Sequence, residues 1–72
     1  MADRLKLLDV VALLTDLPER GLVRGQVGTI VEELADSVYE VEFTDDEGRT
    51  YASLALREAQ LMRLYHHPTA AA

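Results

Sequence analysis

From residue 38 to residue 43 the chain reads Val-Tyr-Glu-Val-Glu-Phe, an alternation suited to an extended strand with one dry face and one wet face. Tyr39, Val41 and Phe43 are predicted to face a core, and Glu40 and Glu42 to face water. Around this segment lie other short apolar runs separated by turn residues, the pattern of an all-β protein. Asp9 to Thr15 reads as a first strand rich in branched residues. An excursion from Asp16 to Gly25 follows, in which Pro18 removes a backbone donor and Gly21 tolerates positive φ. Gln26 to Leu34 is the second predicted strand, with Gly25 and Gly28 marking a bulge or a close backbone approach. Ala35-Asp36-Ser37 turns the chain into the alternating strand.

Thr44 to Arg49 closes a hairpin with Gly48 at the left-handed position. The fourth strand, Thr50 to Leu56, has an ambiguous period; the favoured register turns Leu54 and Leu56 inward and half-buries Tyr51. Arg57-Glu58-Ala59-Gln60 suits a single 3₁₀ turn, and Leu61 to Leu64 a last short strand. These features predict a small five-stranded SH3-like barrel over residues 1–65, with one short 3₁₀ turn before the last strand and a flexible C-terminal tail at 66–72. A Greek-key barrel of the OB kind is the alternative, disfavoured because a tight hairpin joins the third and fourth strands.

At 72 residues without cysteine, the domain has neither a disulfide nor a Cys/His zinc set to support it. Unusually good packing or a partner must supply the difference, which makes self-association one expectation. The longest apolar stretch, Val10 to Leu14, is far too short for a signal peptide or membrane span, so a cytoplasmic protein is expected. Charge narrows the partners. The formal net charge is −6, and from Gly25 to Gly48 there is no Lys or Arg, while Glu32, Glu33, Asp36, Glu40, Glu42, Asp45, Asp46 and Glu47 fall in that window. Such a field repels phosphate backbones and attracts a basic partner.

The segments Leu7 to Leu14, Asp16-Leu17-Pro18-Glu19, Gly21 to Glu32, Tyr39 to Phe43 and Asp46 to Ala52 together resemble the small bacterial proteins of domain-of-unknown-function family 4926. The resemblance runs from about Leu5 to Leu64, and its Arg-Gly-x-Val-Gly-Thr core, here Arg24 to Thr29, is its most specific part. That core is also similar to the SH3-like barrels of the nitrile hydratase β-subunit and, more distantly, to KOW-type ribosomal modules. The resemblance implies an SH3-like fold and a bacterial source. It implies no activity and carries over no functional residues.

The chemistry-bearing residues argue against an enzyme. A nucleophile needs a base within reach, and the only histidines, His66 and His67, sit in the tail. Asp45-Asp46-Glu47-Gly48 lacks the spacing of a calcium loop, and Gly25-Gln26-Val27-Gly28-Thr29 lacks the Lys-Ser/Thr ending and the helix of a phosphate cradle. No cofactor or metal is expected. Arg20, Arg24, Arg49 and Arg57 are too scattered for a basic stripe, which argues against nucleic acid.

What remains is a protein-interaction module, with an acidic inhibitor or antitoxin-like partner of a basic protein as a special case. The alternatives are a KOW-like nucleic-acid binder and an accessory domain like the nitrile hydratase barrel. The candidate contact residues are Leu17, Leu22 and Val23 in the first loop, Glu40 and Glu42 on the alternating strand, and Asp45, Asp46 and Glu47 at the hairpin. On this reading Tyr39 and Tyr51 lie near the first loop, which alternatively packs over the open end of the barrel.

Overall fold

A computed structural model describes residues 4–65 and Pro68. The predicted tail at 66–72, with His66 and His67, lies outside the described residues except for Pro68. The fold is all-β: β1 (Val10–Leu13), β2 (Val27–Ala35), β3 (Val38–Thr44), β4 (Thr50–Arg57) and β5 (Leu61–Arg63). They form one antiparallel sheet in the order β4-β3-β2-β1-β5. Two short 3₁₀ turns, Pro18–Arg20 and Glu58–Gln60, complete the regular structure. The second is the turn expected before the last strand.

Closure differs from the expected barrel. β4 and β5 are the two edges of the sheet and share no ladder. The 3₁₀ turn Glu58–Gln60 carries the chain across, so that the three-residue β5 pairs with β1 instead. A single sheet has no second layer, yet Val11, Leu13, Ile30, Tyr39, Val41 and Phe43 are fully buried. The sheet must therefore curl around them. Leu54, Leu56 and Leu61 fill the same core from the edge strands, and Leu5 and Leu22 enter it from outside the sheet.

The alternation in β3 is realised as predicted, with Tyr39, Val41 and Phe43 inside. Burial of the Tyr39 ring requires a partner for its hydroxyl, and Tyr39 Oη donates to the Leu5 carbonyl at 3.3 Å, tying down the N-terminal segment. In β4, Leu54 and Leu56 point inward, while Tyr51 stands about half exposed. Phe43 faces Ala52 but Thr44 faces Thr50, so Tyr51 is the extra residue of a bulge. Its ring lies 6.3 Å from that of Phe43.

Gly28 corrects the expectation of a bulge at that residue. Pairing is regular there, Val11 on one side and Phe43 on the other. The register shifts fall later in β2, where Val31 and Leu34 are the extra residues. These shifts lie where β2 leaves β1 and continues with β3 alone, which is where the strand must bend. Gly28 serves a close approach instead: a Cβ there would lie 2.7 Å from Val41 Cγ1 and 3.0 Å from the Glu42 carbonyl oxygen.

The segment before β1 has its own strain. Asp9 is buried, accepts from the Lys6 amide at 2.9 Å and lies 3.5 Å from Arg63 Nη2. Beside it Leu8 adopts φ 70 and remains 72% exposed. A left-handed leucine costs about 1 kcal/mol, and this one receives little burial in return. Leu8→Gly is therefore expected to raise stability by roughly 0.5 kcal/mol, after the glycine's greater unfolded-state entropy is deducted. Urea denaturation of the two proteins measures it.

Candidate functional site

β1 has no polar position between Val10 and Leu13, so it cannot have a wet face. Val11 and Leu13 enter the core. Val10 and Ala12 point to the opposite side, because successive side chains alternate. The register lines Ala12 up with Val27 of β2 and Met62 of β5. Val10 lines up with Thr29, and its carbonyl accepts from the Leu64 amide at 2.8 Å. Val27 and Met62 remain about half exposed, whereas the small Ala12 between them is 6% exposed although it is no part of the core cluster. Leu8 and Leu14 stand exposed at the two ends of the strand, and Val31 is exposed at the β2 bulge. The outer side of β5-β1-β2 is thus an apolar strip.

Acids border this strip on one side. Across β2 and β3, Thr29 faces Glu42 and Glu32 faces Glu40, on the same outer side as Val10 and Ala12. Directly opposed residues on adjacent strands have Cβ atoms about 5 Å apart, and like charges there destabilise. Glu40 also accepts from Ser53 Oγ at 2.6 Å. Glu40 and Glu42 are therefore partly covered rather than fully in water. Glu32→Lys, which removes the repulsion and leaves the Ser53 contact intact, is expected to stabilise the fold by about 0.5–1 kcal/mol. A shift of the urea midpoint with unchanged slope would establish it.

The predicted contact residues divide. Leu22 is 1% exposed and belongs to the core, so it is unavailable to a partner. The reason is local: Leu17 and Leu22 exchange backbone hydrogen bonds at 2.9 and 3.1 Å around the 3₁₀ turn, which folds the first loop back and drives Leu22 inward. Leu17 packs against that core, and only Val23 of the three is freely exposed, at 58%. Tyr39 shares the core cluster with Leu22, against which Leu17 packs, and being fully buried it offers no surface to a partner. Tyr51 does meet the loop's end, accepting from Gln26 Nε2 at 3.2 Å.

At the hairpin, Asp45 is a turn residue. Its Oδ1 accepts from the Glu47 and Arg49 amides, both at 2.9 Å, and its Oδ2 from Arg49 Nε at 3.1 Å. Gly48 takes φ 82, as its position in the sequence predicts. The Arg49 amide, with that of Glu47 and the Arg49 side chain, holds the Asp45 carboxyl below the ordinary aspartate value. A depressed acid stabilises the folded state above its unfolded pKa, near 3.9, and that contribution is lost as pH falls through the lower folded value. An NMR pH titration should show the Glu47 and Arg49 amides shifting below about pH 4 with an apparent pKa under the ordinary one. Arg49 Nη2 also contacts Glu47 Oε1 at 3.3 Å, so the hairpin's acids are partly neutralised within the turn, and Asp46 remains exposed.

The arginines are placed apart. Arg20 donates to the Ser53 carbonyl at 3.5 Å, Arg49 sits in the hairpin, and Arg24 caps the first loop by its amide on Asp16. Arg57 lines an open hollow of about 490 Å³ with Asp36, Ser37, Val38, Glu58 and Ala59, where charges of both signs mix. Among the described residues no three His, Cys, Asp or Glu side chains gather as a metal would need.

Val10, Ala12, Val27 and Met62 were absent from the sequence-derived candidates. One signal pointed to them: Val10 to Leu14 is apolar at every position, while Val38 to Phe43 alternates. With one sheet among the described residues, an all-apolar strand leaves one apolar side outside.

A family profile described as "Domain of unknown function (DUF4926)" matches residues 7–63, from the turn before β1 to the end of β5. No curated protein and no solved structure matches the chain.

Proposed function

The chain belongs to the DUF4926 family, a domain of unknown function, and from that premise we propose that it is a non-enzymatic protein-interaction module whose partner presents a cationic surface. The observation that carries this reading is the juxtaposition of an apolar strip with Glu32, Glu40 and Glu42 along one flank. Apolar burial supplies affinity, and the acids select the partner's sign and speed its approach. Glu32 opposite Glu40 is expected to cost stability in the free protein, and a bound cation would relieve that cost. The window from Gly25 to Gly48, with eight acids and no base, extends the same field.

Two features support the absence of a catalytic step: the chain has no cysteine, and its only imidazoles are adjacent at 66 and 67. An inhibitor that neutralises a basic protein is the special case that fits this chemistry. No helix among the described residues is long and apolar enough to cross a membrane. The proposed location is the cytoplasm, where a chain without cysteine forgoes no disulfide.

The test is co-purification from the native host followed by salt titration of the complex. Affinity should fall about tenfold or more as salt rises to about 0.5 M, where the screening length is only a few ångströms. Absent binding, or binding indifferent to salt, would reject the proposal.

A further inference from the structure

We infer that the apolar strip receives an amphipathic α-helix of the partner, lying along β1 with its Lys and Arg side chains over β3. The inference rests on the cationic-partner reading and adds the shape of the ligand. Adjacent strands lie about 4.8 Å apart, so β5-β1-β2 spans about 10 Å between its outer axes, close to the diameter of a helix with its side chains. From Leu8 to Leu14 the strip runs about 20 Å at a strand's rise per residue, which corresponds to about 13 residues of helix. The acids that the register sets beside the strip, Glu42, Glu40 and Glu32, lie along its β2–β3 border. A bound helix would therefore need its basic residues on one border of its apolar stripe, a pattern that fixes both its rotation and its charge.

Two observations and one general rule bear on the occupant. The strip lies on a sheet face, whereas strand addition needs an edge, and the edges here are β4 and β5. An open sheet face is ordinarily covered by a packed helix or a second sheet. A second copy of this chain supplies no α-helix from its described residues, and each copy carries a formal charge of −6. Leu8 adds a fourth indication, since a left-handed, exposed leucine at the end of the strip gains contacts only when something covers it.

The probe is a synthetic peptide of about 14 residues, with Leu at i, i+3, i+4 and i+7 spacing and Lys along one border. It is titrated into the isotope-labelled full chain at low salt. Amide shifts should centre on Val10, Ala12, Val27 and Met62, and the peptide should become helical on binding. Met62→Lys and Val27→Lys, both at half-exposed positions, should weaken binding about tenfold or more while melting curves confirm the fold. Leu8→Gly should bind more weakly although it folds more stably, a divergence that a purely structural role would not produce.

Equal binding by a scrambled peptide without an apolar stripe, or shifts confined to Asp45–Glu47, would overturn the helix while leaving a cationic partner in place. Equal binding by a peptide with Glu in place of Lys would reject the cationic reading while leaving an apolar helix site. No binding at about millimolar peptide, or a dimer in light scattering that Met62→Lys dissociates, would overturn the inference.

Discussion

Gly28→Ala is expected to destabilise the protein by about 3 kcal/mol, enough to lower Tm by roughly 10–25 °C in a domain of this size. The cause is steric, since one methyl group has no room. An added Cβ would stand 2.7 Å from Val41 Cγ1, 3.0 Å from Phe43 Cδ2 and 3.0 Å from the Glu42 carbonyl oxygen. A side-chain end can move, but a carbonyl in the β2–β3 ladder cannot without breaking pairing. Gly28 pairs on both sides, with Val11 and with Phe43, so neither neighbouring strand can yield independently. Thermal and urea melts of the variant give the result. A loss under about 1 kcal/mol would show that β2 and β3 do not approach this closely.

Phe43→Ala should cost about 3–5 kcal/mol, the range for deleting a buried aromatic ring and leaving its space behind. Phe43 is fully buried and pairs with Gly28 and Ala52, the smallest residues available on either side. Its ring occupies the space that the missing side chain of Gly28 leaves open. The two substitutions should therefore not add. In Gly28→Ala combined with Phe43→Ala, the methyl group enters part of the emptied volume, and the total loss should fall short of the sum by 0.5 kcal/mol or more, roughly. The Glu42 carbonyl still opposes the new methyl, so the double variant should remain well below the parent. Additive losses would show that Gly28 and Phe43 do not share the space.

A small domain held by one curled sheet has little reserve, and both substitutions act where all five strands meet. The apolar strip lies on the opposite side of the same strands. Val11 and Leu13 anchor β1 in the core, which holds Val10 and Ala12 fixed on its outer side. On the proposed reading, stability and recognition share one strand without sharing side chains. Leu8→Gly and Glu32→Lys are expected to improve folding and weaken binding together, an outcome that would mark those two positions as serving the surface at the expense of the fold.

Much of the architecture was legible in the sequence. Tyr39, Val41 and Phe43 announced their inward face because alternation on a strand is a local property. Gly48 announced its turn for the same reason, a left-handed residue after a run of acids. The short segment Glu58–Gln60 fitted one 3₁₀ turn and no more. Gly28 was recognisable as special, but a bulge and a close approach leave the same mark in a sequence. Deciding between them required knowing that Val41 and Phe43 lie across from it. For Leu22 the sequence left open a partner contact or packing over the barrel end, and the reciprocal bonds between Leu17 and Leu22 are what turned it inward.

The sequence by itself determined the number of strands, the buried side of β3 and the negative sign of the central segment, since periodicity, turn chemistry and charge are all written along the chain. Tertiary structure alone decided that Glu32 faces Glu40, that β5 returns to β1, and that Ala12 lies between Val27 and Met62. Those are matters of register between residues far apart in the chain, and a shift of one residue in any strand would have exchanged its two faces.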